Sequence, residues 1–132
     1  MAQMAMPNME APIGFALGAP HRLDDCVGAI DWSKKMSLTF EPVDMDTFRC
    51  LRIALDAGIE GGTAPAIMNA ANEEAVAAFL SGEISLTSIP DAIEATLEVL
   101  DHSPVRSDED LYAVEVNARE VARTHVVRLG QN

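Results

Sequence analysis

GGTAPAIMNAANEEAVAAFL, residues 61–80, decides the fold. Two glycines free the chain to turn, Thr63 offers a hydroxyl as an N-cap, and Pro65 sits in the first turn, where a missing N–H costs nothing. A helix is therefore predicted from about Ala64. Ala66, Ile67, Ala70, Ala71, Val76, Phe79 and Leu80 recur at helical spacing, Glu73 and Glu74 lie on the other side, and Gly82 is placed to end the helix as its C′ residue. So many alanines predict a close approach to a neighbouring helix. Asn69 and Asn72 stand three apart on one face. Buried amides need partners, so a loop or a neighbouring helix is expected to supply them, with a ligand role the less favoured alternative.

The same period continues on both sides of this stretch. Met45, Phe48, Cys50, Leu51 and Leu55 predict a preceding helix that ends at Gly58. Ile89, Ile93, Leu97 and Leu100 step by four, four and three behind a Thr87 or Ser88 cap, with Pro90 in the first turn. Ser107-Asp108-Glu109-Asp110 resembles a capping box with Asp in place of Glu, and Leu111, Val114, Ala118, Val121, Ala122 and Leu129 give the stripe of a long final helix to Gly130. Four amphipathic helices with short connections predict an antiparallel helical bundle.

Ahead of the bundle the pattern changes. Residues 2–9 are short and apolar, with Met4, Met6 and Met9 in mixed alternation, which suits a strand or an extended arm. A short helix is predicted over residues 12–17, closed by Gly18 and Pro20, and residues 21–35 read as loop. SLTFE, residues 37–41, alternates like a short half-buried strand. The predicted fold class is mainly α, a C-terminal bundle of about four helices behind a short α/β segment.

A chain of 132 residues is long enough to bury roughly two-thirds of its unfolded surface. Although 48% of residues are hydrophobic, no apolar run nears the roughly 18 that a membrane span needs. The N-terminus lacks a basic n-region and is broken by Pro7 and Pro12, so no secretory signal is read there and a cytoplasmic location is expected. A net charge of −12 argues against nucleic acid or an anionic membrane as partner, since either requires a basic face. Residues 1–43 carry five acids and three bases (−2), whereas residues 44–132 carry sixteen and six (−10), which places a domain boundary near Pro42. Cys26 and Cys50 have no CxxC or metal spacing, so both are expected as reduced thiols.

Chemistry-bearing patterns are scarce. Adjacent helical residues diverge by about 100°, so Glu73 and Glu74 do not converge on one substrate, and residues 108–110 suit a helix N-terminus. Asp24 with Asp25 reads as solvated surface. His21, His102 and His125 have no second ligand at a metal spacing, and His125 falls on the last helix's apolar side as a packing residue. No GxSxG, GxxxxGK[ST] or GxGxxG occurs, and the Gly61-Gly62 pair lacks the nearby basic residue that an anion site would want. Glu115 with Arg119 is an i,i+4 pair, and Arg123 and Arg128 continue that polar side. No catalytic, cofactor-binding or metal-binding residue is therefore assigned.

Three strings in order, PNMEAPIGFALG at residues 7–18, GGTAPAIMNAANEEAVAAFLSGEI at 61–84 and VNAREVAR at 116–123, resemble the C-terminal portion of the 1-deoxy-D-xylulose 5-phosphate reductoisomerase family. SLTFEPVDMDTFRCLRIA, residues 37–54, is similar to that family's connection between its central and C-terminal domains. The resemblance implies a fragment of an enzyme of isoprenoid precursor synthesis, in the methylerythritol phosphate pathway. Its members rearrange the sugar phosphate and reduce it with NADPH, with Mg²⁺ or Mn²⁺ bound. Residues 1–43 would be a remnant of the central catalytic domain plus linker, and residues 44–132 the C-terminal bundle that buttresses it.

The family's cofactor, metal and phosphate motifs precede the point matched by Met1, so the chain reads as a truncation, a fragment or half of a split gene, inactive alone. Only Pro7 and Met9 are carried over, as residues lining the substrate pocket; the family has Gly and Asp where this chain has Ala5 and Asn8. The expected partner is the missing N-terminal part or a complementing chain, and the resemblance adds a homodimer for the full-length enzyme. The competing expectation is a non-catalytic helical interaction module that docks through its Met-rich N-terminal residues.

Overall fold

The computed structural model describes residues 8–21, 23, 28 and 30–131. Among them are five α-helices: α1 (Glu10–Gly18), α2 (Arg49–Glu60), α3 (Ala64–Leu80), α4 (Ile89–Val99) and α5 (Asp108–Gly130), with a 3₁₀ turn, Leu86–Ser88, leading into α4. The chain gathers into two units, Met1–Glu41 and Pro42–Asn132.

In the first unit, α1 begins two residues before the predicted start because Asn8 turns the chain. Its Oδ1 accepts the Glu10 backbone N–H at 2.9 Å while its Nδ2 donates to Glu10 Oε2 at 3.0 Å. No α1 residue is buried. The strand expected over residues 37–41 does not form: residues 35–44 have no regular structure, and Leu38 and Phe40 are 58% and 89% exposed. A strand needs a ladder partner and a covered face, and neither exists among the described residues. Of the strand or arm expected over residues 2–9, positions 2–7 lie outside the described residues, while Asn8 and Met9 lead into α1.

The second unit is built around α3, which packs against α2, α4 and α5. Ala64, Ile67, Ala70, Ala71, Ala75 and Ala78 are its buried residues. They meet Ala118 and Ala122 of α5 and Ala92 of α4, all fully buried, and side chains this small let the helix backbones approach closely. Leu80, expected on the packed side, is instead 77% exposed. It stands two residues beyond Ala78, about 200° further round the helix, so it faces away from the neighbour that Ala78 meets.

Helix ends follow local chemistry. α2 passes through Gly58 and stops at Glu60, two residues beyond the predicted end, where Gly61 takes φ 74° and returns its N–H to Ala57 O at 3.0 Å. One interior glycine costs a helix only about 1 kcal/mol, too little to end it. Gly82, with φ 76°, ends α3 as predicted: its N–H reaches Phe79 O and the Glu83 N–H reaches Ala78 O, both at 2.9 Å, the paired bonds of a Schellman turn. Ser107 caps α5 by accepting the Asp110 N–H at 3.2 Å, and Asp110 reaches back to the Arg106 N–H rather than to Ser107. The cap expected from Thr87 or Ser88 is absent, because Ser85 Oγ takes up both hydroxyls, at 2.9 and 2.7 Å.

The order of contacts gives the helix directions. Ile67 and Ala70 cluster with Ala118, Glu74 pairs with Arg119 and Arg123, and the Glu83 carbonyl lies beside Gly130, so α3 and α5 run the same way. Arg49 meets Asp91 and Glu60 meets His102, so α2 and α4 also run together. Leu97 and Leu100, late in α4 and just after it, pack beside the early α3 residues Ile67 and Ala70, which makes α3 and α4 antiparallel. From α2 to α5, consecutive helices therefore alternate in direction, as the short connections require.

Candidate functional site

The distinctive GGT of residues 61–63 builds a junction, not a cap. Thr63 is fully buried with helical φ and ψ, and its side chain does not cap α3. Its N–H donates to Ser103 O at 2.9 Å while its Oγ1 accepts the Ser103 N–H at 3.0 Å, a reciprocal pair across forty residues. Gly62 makes room for it. At φ 56°, a Cβ on this residue would fall 2.5 Å from the Ser103 carbonyl oxygen, inside any allowed contact. The anion reading of the glycine pair is closed by the same carbonyl: the Thr63 N–H is taken by Ser103 O and the Ala64 N–H by Gly61 O, and Pro65 has none.

Two arrays of charge bind the helices together. Glu73 and Glu74 lie against α5, where Arg119 bonds Glu73, Glu74 (3.2 Å) and Glu115 (2.7 Å), and Arg123 grips Glu74 at 2.8 and 2.9 Å. Glu74, placed by its spacing on the side away from the apolar stripe, is covered by α5, with only 16% of its side chain exposed. The Arg123 guanidinium, with Arg119 after it, holds the Glu74 carboxyl below the usual carboxylate range against the burial that pushes it up. Arg119 does the same to Glu73. In the second array Arg49 bonds Asp91 at 2.6 Å and also Glu94, to which Arg52 adds a contact at 3.5 Å. The sequence signal for both was a pair of like charges on one helix and a pair of the opposite sign on another, Arg49 and Arg52 with Asp91 and Glu94, Arg119 and Arg123 with Glu73 and Glu74, legible only once the helices are paired.

His102 joins the helices at the other end. Its ring bonds Glu60 at the end of α2 through Nδ1 and the Leu97 carbonyl oxygen through Nε2, the latter at 3.0 Å. It precedes Ser103, so one short loop holds α2, α3 and α4.

Of the two proposed pocket residues, Pro7 lies outside the described residues, and Met9, 69% exposed, immediately precedes α1. Asn69 is exposed and donates to Glu73 within its own helix at 3.2 Å, so the expectation of a buried amide fails there, and Asn72 is half-buried. Cys50 is a free thiol whose titration burial pushes up, which disfavours a nucleophilic role; Cys26, Asp24 and Asp25 lie outside the described residues. Among the described residues no three His, Cys, Asp or Glu side chains are grouped to hold a metal ion, and the nearest acid clusters are already engaged by Arg49, Arg52, Arg119 and Arg123. Held by these arginines, the carboxylates do not fit a divalent metal. What they form is a scaffold.

A family model described as the DXP reductoisomerase C-terminal domain matches residues 4–121. The 1-deoxy-D-xylulose 5-phosphate reductoisomerase of Methylobacillus flagellatus is 48% identical over 131 residues, which is 99% of this chain and 32% of that protein. The Nitrosomonas eutropha enzyme of the same name is 44% identical over 123 residues, 93% of this chain and 30% of the relative. Among solved structures, the reductoisomerase from Zymomonas mobilis in complex with NADPH superposes with a TM-score of 0.81 at 36% identity, covering 96% of this chain and 33% of that one. A reductoisomerase in complex with NADPH, fosmidomycin and magnesium gives 0.80 at 33% identity, covering 99% and 34%. The chain thus spans about a third of the length of the relatives it matches.

Proposed function

Because the chain belongs to the DXP reductoisomerase C-terminal domain family, we infer that it serves as the C-terminal third of an NADPH-dependent 1-deoxy-D-xylulose 5-phosphate reductoisomerase, a supporting bundle with no catalytic group of its own. The observation that carries this reading is the family match along residues 4–121, joined to a bundle whose acid clusters are engaged by arginine. NADPH and Mg²⁺ or Mn²⁺ would be held by the preceding two-thirds of such an enzyme. The partner is then that preceding part, on the same chain or as a complementing one, and the complete enzyme is a homodimer. A cytoplasmic location goes with this reading; among the described residues no helix is long and apolar enough to cross a membrane.

Within this reading, residues 1–43 belong to the catalytic domain and its linker, and Pro7 and Met9 line the substrate pocket. The exposed Met9 side chain is free to meet a ligand held by the missing part. The test is a chimera in which this chain replaces the matching third of the Methylobacillus flagellatus enzyme. The chimera is expected to oxidise NADPH with the sugar phosphate while the 132-residue chain alone does not, and Met9→Ala in the chimera is expected to raise KM. A folded chimera without activity, or turnover by the chain alone, would overturn the reading.

A further inference from the structure

Helix α2 is apolar on two opposite sides. Ile53 and Ala57 are buried in the bundle, while Phe48, Leu51, Leu55 and Ile59 run along the outside, between 42% and 84% exposed. Ile53 and Ala57 each stand two residues beyond an outer leucine, about 200° further round the helix. Every charged residue of α2 turns towards α4: Arg49 bonds Asp91 and Glu94, Arg52 bonds Glu94, Glu60 bonds His102, and Asp56 lines the groove beside them. The outer stripe is left uncharged. Gly58 falls in that stripe, seven residues and almost two whole turns after Leu51. It is helical, and a Cβ added to it would meet nothing within 4 Å. An interior glycine weakens a helix, and neither this backbone nor a described neighbour requires one. An outside backbone pressed against the stripe would.

We propose that this stripe is the face on which the bundle receives the preceding two-thirds of the enzyme, a proposal that rests on reading the chain as its C-terminal third. The occupant is an apolar, uncharged surface of that part, close enough at Gly58 for backbone contact. A helix apolar on both sides belongs inside a larger body. The relatives supply one: this chain matches a C-terminal domain and covers 32% and 33% of two of them, so about twice its own length lies outside it. α2 is also the first helix of the bundle in chain order, the one reached first from whatever precedes. A second bundle is the weaker occupant. Residues 44–132 carry sixteen acids and six bases, so two copies meeting here would bring −10 against −10.

The experiment is hydroxyl-radical labelling read by mass spectrometry, applied to the 132-residue chain and to the chimera in which it replaces the matching third of the Methylobacillus flagellatus enzyme. Phe48, Leu51, Leu55 and Ile59 are expected to label readily in the chain alone and about fivefold more slowly in the chimera, as side chains moved into a water-excluding contact do. Leu86 and Tyr112, exposed elsewhere on the bundle, are expected to keep their rates. Equal labelling of the stripe in both proteins, or protection of Leu86 and Tyr112 in its place, overturns the proposal. So does a stripe already protected in the chain alone, dilute or concentrated, since its cover is then this chain or a second copy. NADPH oxidation separates the docking face from the functional reading. An active chimera with an unprotected stripe loses only the docking face, and an inactive one with a protected stripe keeps the docking face and loses only the reading.

Discussion

Gly62 shows how much one missing side chain decides. Its φ of 56° already disfavours any L side chain, and the Ser103 carbonyl occupies the space a Cβ would need. Gly62→Ala is therefore expected to destabilise the bundle by about 1–3 kcal/mol, read from the urea midpoint with circular dichroism; an unchanged midpoint would mean that the loop yields without cost. Thr63 carries the other half of the junction. Thr63→Val keeps its shape but leaves the Ser103 N–H without its acceptor, a loss of about 1–3 kcal/mol. Thr63→Asp separates the two readings of this residue: a helix cap would tolerate it, whereas a fully buried junction forces an unpaired carboxylate inside. The residues of GGTAP announced a helix start correctly. They did not announce Ser103, because a partner forty residues away leaves no trace in local spacing.

At the scale of elements, the helical period was legible and its packed face only partly so. Ala70 and Ala71 stood out by spacing, but in a helix apolar nearly all round, Leu80 competed with Ala75 and Ala78 for the same assignment, and the larger side chain was the wrong choice. What selects the alanine face is the neighbour, since α5 brings its own alanines and its arginines to that side. The strand over residues 37–41 failed for the converse reason: alternation is a local signal, but a strand exists only with a second one beside it. Glu74 gives a test of the α3–α5 seam. Arg123 and Arg119 hold its titration below the ordinary Glu value near 4.3, so the pairing stabilises the fold above that value and is lost as pH falls through the depressed native one. The urea midpoint of the wild type is expected to drop more steeply below about pH 4 than that of Glu74→Gln; parallel curves would show that the seam owes nothing to this carboxylate.

At the scale of the whole molecule, the two units differ in how much of themselves they cover. Pro42–Asn132 contains every buried core residue found among the described positions, from Ile53 to Val126. In Met1–Glu41, Ile13, Phe15, Leu17, Trp32 and Phe40 all stand exposed, an amount of apolar surface that a self-sufficient domain would bury. If the first unit is a remnant whose cover lies in the preceding two-thirds of the enzyme, its removal should relieve the chain instead of unfolding it. Residues 42–132 alone are therefore expected to keep the helical circular dichroism signal per helical residue and a cooperative urea transition within about 1 kcal/mol of the full chain, since every buried core residue among the described positions lies within them. Binding of a hydrophobic dye is expected to fall sharply on the same deletion, and to fall again when the full chain is fused to the relative's N-terminal part. Loss of the transition on deletion would show that the first unit completes the bundle's core, and dye binding unchanged by the fusion would show that the missing part does not cover this surface.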